Sequence, residues 1–209
     1  MGLSQQQAFR VRALDTGERL LVAALFAWFV YNILADFFTT GSVFDLILLA
    51  SESAVLVFVL VRRSTLDITR SPLDWGLGFA GTIIPLLVLP AEGPLVPILV
   101  ILVLMLGGAA LQITAKFFLR RSFGVVAANR GVKIGGPYRV IRHPMYAGYM
   151  LTQVGFLLAN PTHWNLAVYA ACWAVQLGRI LVEERLLLND QSYRELAARV
   201  PYRLIPRVF

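Results

Sequence analysis

The chain has 209 residues, of which 58% are hydrophobic, and it carries a formal net charge of +7. This apolar fraction, with a mean hydropathy of +0.69, excludes an ordinary soluble domain and leaves little length for one beside the apolar segments. The positive charge does not indicate a nucleic-acid partner, because the basic residues flank apolar segments, as they do in membrane proteins.

Apolar segments predict how the chain crosses a bilayer, which takes about 20 residues per helix. In the first part of the chain, four segments meet or approach this length: residues 17–38, 42–61, 73–90 and 94–119. Two more follow, a short one at 145–159 and a long one at 162–188. We therefore predict an all-α, polytopic membrane helical bundle with five to six membrane segments.

Basic residues predict the orientation of these segments. They cluster before the first segment, between the second and third, and after the fourth: Arg10, Arg12 and Arg19; Arg62, Arg63 and Arg70; Lys116, Arg120 and Arg121. The positive-inside rule then places the N terminus, the loop at Arg62, residues 120–143 and the C-terminal tail in the cytoplasm. The first residues lack the pattern of a signal peptide, so we predict an uncleaved, multi-pass integral membrane protein.

Three local features invite a functional interpretation. The stretch GLGFAG, residues 76–81, matches a dinucleotide-binding pattern, but it lies inside an apolar segment, so we predict close helix packing. Glu52 lies at the centre of the second segment, where it either marks a functional site or bonds to a neighbouring helix. With Asp36 it would be the pathway charge of a transporter, although no inverted repeat supports that function. The single cysteine and the separated histidines predict no metal site.

The segment KIGGPYRVIRHPMYAGY, residues 133–149, is the strongest candidate for a binding site. Its Gly-Gly-Pro sequence predicts a turn that allows close backbone approach, and Pro144 predicts a helix start with unpaired amides. Tyr138 and Tyr146 offer aromatic faces to a flat ring. The pattern suits a polar, partly anionic ligand at the membrane surface, but an interfacial anchor loop has the same composition.

A second pattern, LGRILVEERLLL, lies at the end of the last long segment. It places Arg179 and Glu183 on one face of a helix and Glu184 on the adjacent face. The base precedes the acid, which is the weaker order for a helix ion pair. Ligand binding by one of the carboxylates is therefore the alternative to a purely structural pair.

Three motifs, GPYRVIRHPMYAG, EERLL and YRELAARVPYRLIP, follow one another between about residue 120 and residue 209. In this order and spacing the chain resembles the isoprenylcysteine carboxyl methyltransferase family and the related membrane phospholipid methyltransferases. Residues 1–115 carry no motif that aligns. We therefore divide the chain into N-terminal transmembrane helices, 1–115, and a methyltransferase core, 116–209, which contains the cofactor-binding motifs, the last helices and the tail.

The resemblance implies S-adenosyl-L-methionine as methyl donor and S-adenosyl-L-homocysteine as product, bound in a cytoplasmic pocket that the C-terminal half forms. It implies cofactor contacts at Val132, Lys133, Tyr138, His143, Pro144, Met145, Tyr146, Gly148, Glu183 and Glu184. Arg179 matches the position that holds the acceptor, and Arg179 and Glu183 are the implied catalytic residues. Lys133 replaces an apolar residue of the family pattern, so main-chain contacts are expected there.

The implied acceptor is a lipophilic molecule or lipid that enters from the bilayer. A carboxylate or thiolate needs orientation, which an arginine provides through paired hydrogen bonds, whereas an amine has to lose a proton to a carboxylate or to His143. We expect a carboxylate or thiol acceptor. The alternatives are phospholipid amine N-methylation and a noncatalytic membrane protein that retains the fold, and the oligomeric state stays open.

The tail, RVPYRLIPRVF, is too basic and too rich in proline to span a membrane. We expect it to pack back over the site, with Tyr202 and Leu204 facing the membrane surface.

Overall fold

A computed structural model describes residues 5–40, 56–65, 67–91 and 93–209 of the protein. The long helices in these ranges are α1 (Gln5–Thr40), α2 (Pro72–Ile83), α3 (Ile98–Leu119), α4 (Pro144–Ala159), α5 (His163–Leu187) and α6 (Gln191–Arg199). Residues 56–61 are also helical, and 3₁₀ turns span Ile84–Leu87, Arg120–Ser122 and Gly136–Arg139. Within these ranges the only β pairing is an isolated bridge between Ile68 and Ala128, so the prediction of an all-α fold is confirmed for them.

Three of the described helices are long and apolar enough to cross a bilayer: Val11–Ala35, Ile98–Ser122 and His163–Leu187. They support an integral membrane protein. Two further apolar helices are shorter, Pro72–Leu87 and α4, which has 16 residues. Glu52, most of the predicted second segment and the side chain of Asp36 lie outside the described residues. The count of five to six membrane segments and the orientation in the membrane stay predictions.

The α3 and α4 helices pack so closely that their backbones touch. A Cβ atom added to Gly148 would lie 2.7 Å from both the backbone oxygen of Gly108 and the backbone nitrogen of Gln112. A Cβ added to Gly155, two turns later on α4, would lie 2.7 Å from Met105 Cγ. Small residues at such a spacing let membrane helices approach each other directly, and here they fix the position of α4, which carries Tyr146.

The GLGFAG stretch lies in α2 and packs towards α5. A Cβ on Gly81 would lie 2.8 Å from Arg179 Cδ, and one on Gly78 would lie 3.0 Å from the backbone oxygen of Val125. The predicted role in helix packing is therefore confirmed for Gly81, whereas Gly78 packs against the loop that follows α3. Gly76 has no atom close enough to require glycine.

A buried ionic cluster connects α1 to the segments that follow the second and fourth predicted spans. Arg62 Nη1 lies 2.7 Å from Glu18 Oε1, and Arg130 Nη2 lies 2.9 Å from Asp15 Oδ1. All four side chains are almost completely buried. Burial and the neighbouring Arg62 lower the pKa of Arg130, while Glu18 and Asp15 act in the opposite direction. Each buried charge thus has partners of opposite sign, which burial requires.

Glu18 has a second role in this cluster. Its Oε1 atom accepts hydrogen bonds from the N–H groups of both Val125 and Val126, each at 3.0 Å. Because these donors are 107 and 108 residues away in sequence, the first helix fixes the backbone of the loop that precedes the candidate site.

The α3–α4 contact gives the first prediction. Gly108→Ala is expected to lower the midpoint of thermal unfolding in detergent, because the added methyl group would overlap the α4 backbone at Gly148. Overpacking of this kind costs about 1–3 kcal/mol. Gly107→Ala is the matched control, since its nearest neighbour would be Leu151 Cδ2 at an ordinary 3.8 Å. Equal midpoints for the two variants would contradict the close helix contact.

Candidate active site

A cavity of about 100 Å³ lies between the loop that follows α3, the 133–149 segment, α5 and α6. Seven of the predicted cofactor-binding residues line it: Val132, Lys133, Tyr138, His143, Met145, Tyr146 and Glu183. They come from two parts of the sequence that the predicted motifs identified. The structure thus brings the first two motifs together around one cavity.

The Gly-Gly turn positions the first of these side chains. Gly136 has a φ of 56°, and a Cβ on it would lie 2.6 Å from Phe118 Cδ2, so both the backbone conformation and the available space require glycine. The 3₁₀ turn that follows carries Tyr138 into the cavity wall. Burial raises the pKa of Tyr138, so its hydroxyl group stays neutral and able to donate a hydrogen bond.

The helix start after this turn is also as predicted. Pro144 lies in the first turn of α4, where a missing N–H has no effect on the helix. The next two residues, Met145 and Tyr146, then line the cavity, whereas Pro144 itself does not. Gly148 lies one turn further on, against Gly108 and Gln112 of α3 rather than in the cavity lining.

Tyr146 connects the two residues that the resemblance implies as catalytic. Its hydroxyl group donates a hydrogen bond to Glu183 Oε1, and the Arg179 guanidinium carbon lies 5.3 Å from the centre of its ring. His143 Nδ1 lies 3.8 Å from Glu183 Oε2. Tyr146, Glu183 and Arg179 therefore form one contiguous group.

Arg179 differs from Glu183 in its position. It is buried, it does not line the cavity, and its Nη2 atom donates a hydrogen bond to the backbone oxygen of Val125 at 2.9 Å. In the described part of the chain no ion pair joins Arg179 to Glu183, so the simple helix pair that the sequence left open is absent there.

Glu184 does not line the cavity and is almost completely buried. Its carboxylate accepts hydrogen bonds from Arg142 Nε at 2.6 Å, Arg203 Nε at 2.6 Å and the Tyr193 hydroxyl at 3.2 Å, and His143 Nε2 lies 3.3 Å away. Burial raises the pKa of Tyr193, which keeps that hydroxyl a donor. The two consecutive glutamates thus have different surroundings, one at the cavity and one in a network of basic groups.

The tail packs back onto the start of α4, as expected. The N–H groups of Arg142 and His143 donate to the backbone oxygens of Tyr202 and Arg203, at 2.9 and 2.8 Å. The expectation that Leu204 faces the membrane surface is wrong, because this backbone pairing turns Leu204 into the hydrophobic core. Tyr202 is half-buried.

Several cavity residues were absent from the predicted cofactor contacts, among them Arg130, Tyr193 and Leu196. Two of them carried a usable signal: Tyr193 and Leu196 are three residues apart in an otherwise polar helix, the spacing of an inward face. Arg130 carried none, because its charge looked like one more flanking basic residue.

Comparison with known proteins shows which family the cavity-forming part of the chain is similar to. Residues 95–194 match the family model described as phospholipid methyltransferase, a range that includes α3, α4, α5 and most of the cavity lining. No curated protein matches the chain.

One solved structure is titled "Structure of the eukaryotic intramembrane Ras methyltransferase ICMT (isoprenylcysteine carboxyl methyltransferase) without a monobody". It is 18% identical, the alignment covers 99% of each chain, and the TM-score is 0.48. That likeness is too low to transfer the roles of individual residues. The family match includes α3 and both motifs of the cavity, so this part of the chain is similar to the phospholipid methyltransferases.

Proposed function

We propose that the protein transfers a methyl group from S-adenosyl-L-methionine to a lipophilic acceptor, a carboxylate or a thiol, at the cytoplasmic face of the membrane. The observation that carries this proposal is the convergence of Tyr138, His143, Tyr146 and Glu183 on one cavity, beside the buried Arg179. Glu183 follows Tyr146 by 37 residues, so only the fold brings them into contact.

The residues of the cavity have the chemistry that this cofactor requires. Glu183 supplies a carboxylate for hydroxyl or ammonium groups, and two tyrosine rings and the Met145 side chain supply apolar faces for a purine. The cavity, at about 100 Å³, is smaller than the roughly 300–1,000 Å³ of most ligand sites. A bound cofactor would therefore extend out of the cavity or displace one of its walls. We expect displacement of α6, which contributes Tyr193 and Leu196.

S-adenosyl-L-methionine supplies a methyl group that is bonded to a positively charged sulfur. Transfer is an in-line displacement in which opposite charges cancel, so a protein accelerates it mainly by orienting the reactants and excluding water. Tyr146 suits the first task because its contacts with Glu183 and Arg179 fix the two residues relative to each other. The buried surroundings of His143, Met145 and Tyr146 suit the second.

Arg179 is the residue best suited to hold an anionic acceptor. It is buried, its described hydrogen bond goes to a neutral backbone oxygen, and no described carboxylate forms an ion pair with it. An incoming carboxylate or thiolate would therefore supply a direct partner of opposite charge. Its planar guanidinium group can form two parallel hydrogen bonds to a carboxylate. An ionised acceptor held there requires no general base.

The second candidate function is N-methylation of a phospholipid amine. The family match to phospholipid methyltransferases favours it. An amine acceptor has to lose a proton, and His143 and Glu183, whose nearest atoms are 3.8 Å apart, are available to accept one. In this reaction Arg179 would bind the lipid phosphate.

Cofactor binding is tested by calorimetry on the detergent-purified protein with S-adenosylmethionine and S-adenosylhomocysteine. The wild type is expected to bind both in a saturable manner. Glu183→Ala should abolish binding, because the variant loses the carboxylate of the cavity. Its unfolding midpoint should fall only moderately, because the loss of one acceptor for the Tyr146 hydroxyl costs about 1–3 kcal/mol. A folded wild type that binds neither compound in the presence of lipid would favour the noncatalytic alternative.

Glu184 is expected to act on stability rather than on binding chemistry. Glu184→Gln removes the charge that Arg142 and Arg203 share, and breaking a buried ion pair costs about 3–5 kcal/mol. We expect this loss in the free energy of unfolding, measured by denaturant titration in mixed micelles. Glu195→Gln, at an exposed position on α6, is the control and should unfold like the wild type. An unchanged Glu184→Gln variant would contradict the described network.

Arg179→Gln tests the class of acceptor. If the acceptor is a carboxylate or thiolate, the variant should raise the acceptor KM by roughly 10- to 100-fold, the equivalent of a charge-assisted hydrogen bond, with cofactor affinity unchanged. Transfer of labelled methyl groups to lipophilic acids, thiols and phosphatidylethanolamine measures this. Labelled N-methyl lipid as the sole wild-type product would replace the first candidate function with the second.

A further inference from the structure

A second cavity, of about 360 Å³, lies outside the candidate site, between the end of α3 and the helical residues 56–61. We call it the α3 groove, and its lining consists of Phe58, Val61, Phe117, Phe118, Arg120 and Arg121. Neither the family match nor the proposed methyl transfer assigns a function to it.

The walls of the α3 groove are aromatic and open to the surroundings. Phe58 is buried at its base, and its ring meets the Phe117 ring edge to face, with centroids 5.5 Å apart. Phe117 and Phe118 are 62% and 42% exposed. Two large exposed rings beside a cavity, on a helix apolar enough to span a bilayer, form a surface on which a hydrocarbon chain can pack.

Two arginines, Arg120 and Arg121, follow these rings after Leu119, where the candidate span Ile98–Ser122 ends. Both are exposed. Arg121 Nε donates to the backbone oxygen of Val61 at 3.0 Å, which ties one arginine to the opposite wall of the groove. Arg120 has a φ of 49°, an unusual conformation for a residue with a side chain, of the kind that concentrates at functional positions.

The arginines of the α3 groove differ from two neighbouring arginines in their ion pairs. Arg62 and Arg130 are both bound to Asp15 and Glu18. Within the described ranges no carboxylate forms an ion pair with Arg120 or Arg121. The groove therefore presents two cationic groups at its mouth and an apolar wall behind them.

We propose that the α3 groove binds an anionic phospholipid, with the phosphate at Arg120 and Arg121 and an acyl chain along Phe117 and Phe118. The order of the groups, apolar wall and then paired cations at the end of a span, matches the order of acyl chain and phosphate in such a lipid. Guanidinium groups bind phosphate through paired hydrogen bonds, and basic pockets between membrane helices are typical sites for anionic headgroups. Basic residues that served only to set topology would not require a cavity.

The position of the groove connects it to the candidate site. A Cβ on Gly135 would lie 3.1 Å from Phe118 Cδ1, so the Phe118 ring supports the Gly-Gly turn that carries Tyr138. The next residue, Leu119, lines the cavity of the candidate site. A lipid bound in the groove would therefore contact residues adjoining the site, although the proposal does not depend on methyl transfer.

Native mass spectrometry of the detergent-purified protein tests this proposal with phosphatidylglycerol and phosphatidylcholine of identical acyl chains. The wild type is expected to bind phosphatidylglycerol about tenfold more tightly, because each arginine near the headgroup adds to the attraction. The double variant Arg120→Gln, Arg121→Gln should lose this preference. Arg70→Gln, at an exposed arginine outside the groove, is the matched control and should retain it.

Two further variants test the phosphate contact and the acyl-chain contact separately. Arg120→Gly removes one guanidinium group but tolerates the positive φ, so it remains folded if the double variant does not, and it should weaken phosphatidylglycerol binding. Phe117→Ala should also weaken it, because the acyl chain loses its wall. Equal binding of the two lipids, equal behaviour of the groove variants and Arg70→Gln, or displacement of the lipid by the same concentration of inorganic phosphate would overturn the proposal.

Discussion

The burial of one carboxylate, that of Glu184, constrains how the parts of the candidate site assemble. A charge removed from water costs several kcal/mol unless partners of opposite sign surround it. Those partners come from separate parts of the chain: Arg142 precedes α4, and Arg203 belongs to the tail. Because neither segment alone satisfies the carboxylate, α5, the 133–149 segment and the tail have to come together, and this places Glu183 at the cavity.

The N-terminal half of the chain contributes to the site as well as to the membrane anchor. Glu18 on α1 holds the N–H groups of Val125 and Val126, and the carbonyl group of Val125 accepts a hydrogen bond from Arg179. The position of Arg179 thus depends on a helix that carries no recognisable motif. The chemical groups of the candidate site therefore lie in the C-terminal half, while α1 in the N-terminal half holds part of it in position.

Local chemistry explains what could be predicted from the sequence. The Gly-Gly turn and the helix start at Pro144 depend on backbone restrictions that act within a few residues, so both were predictable. Helix geometry placed Glu183 and Glu184 on different faces, but the basic partners of Glu184 were not predictable. Arg142 and Arg203 lie 42 and 19 residues from it in sequence, so only the fold brings them together. The ionic cluster around Glu18 was not predictable for a related reason. In the sequence its arginines look like the basic residues that flank membrane spans, and only the fold shows that they pair with distant carboxylates.

The direct contact of α3 and α4 also determines where this protein can diversify. The α4 face that bears Gly148 and Gly155 touches α3, so larger side chains there would displace Tyr146 from Glu183 and Arg179. The exposed faces of α1 and α3 carry no such restriction. Sequence drift in these helices can therefore reshape the lipid-facing surroundings of the site while its reactive centre stays in place.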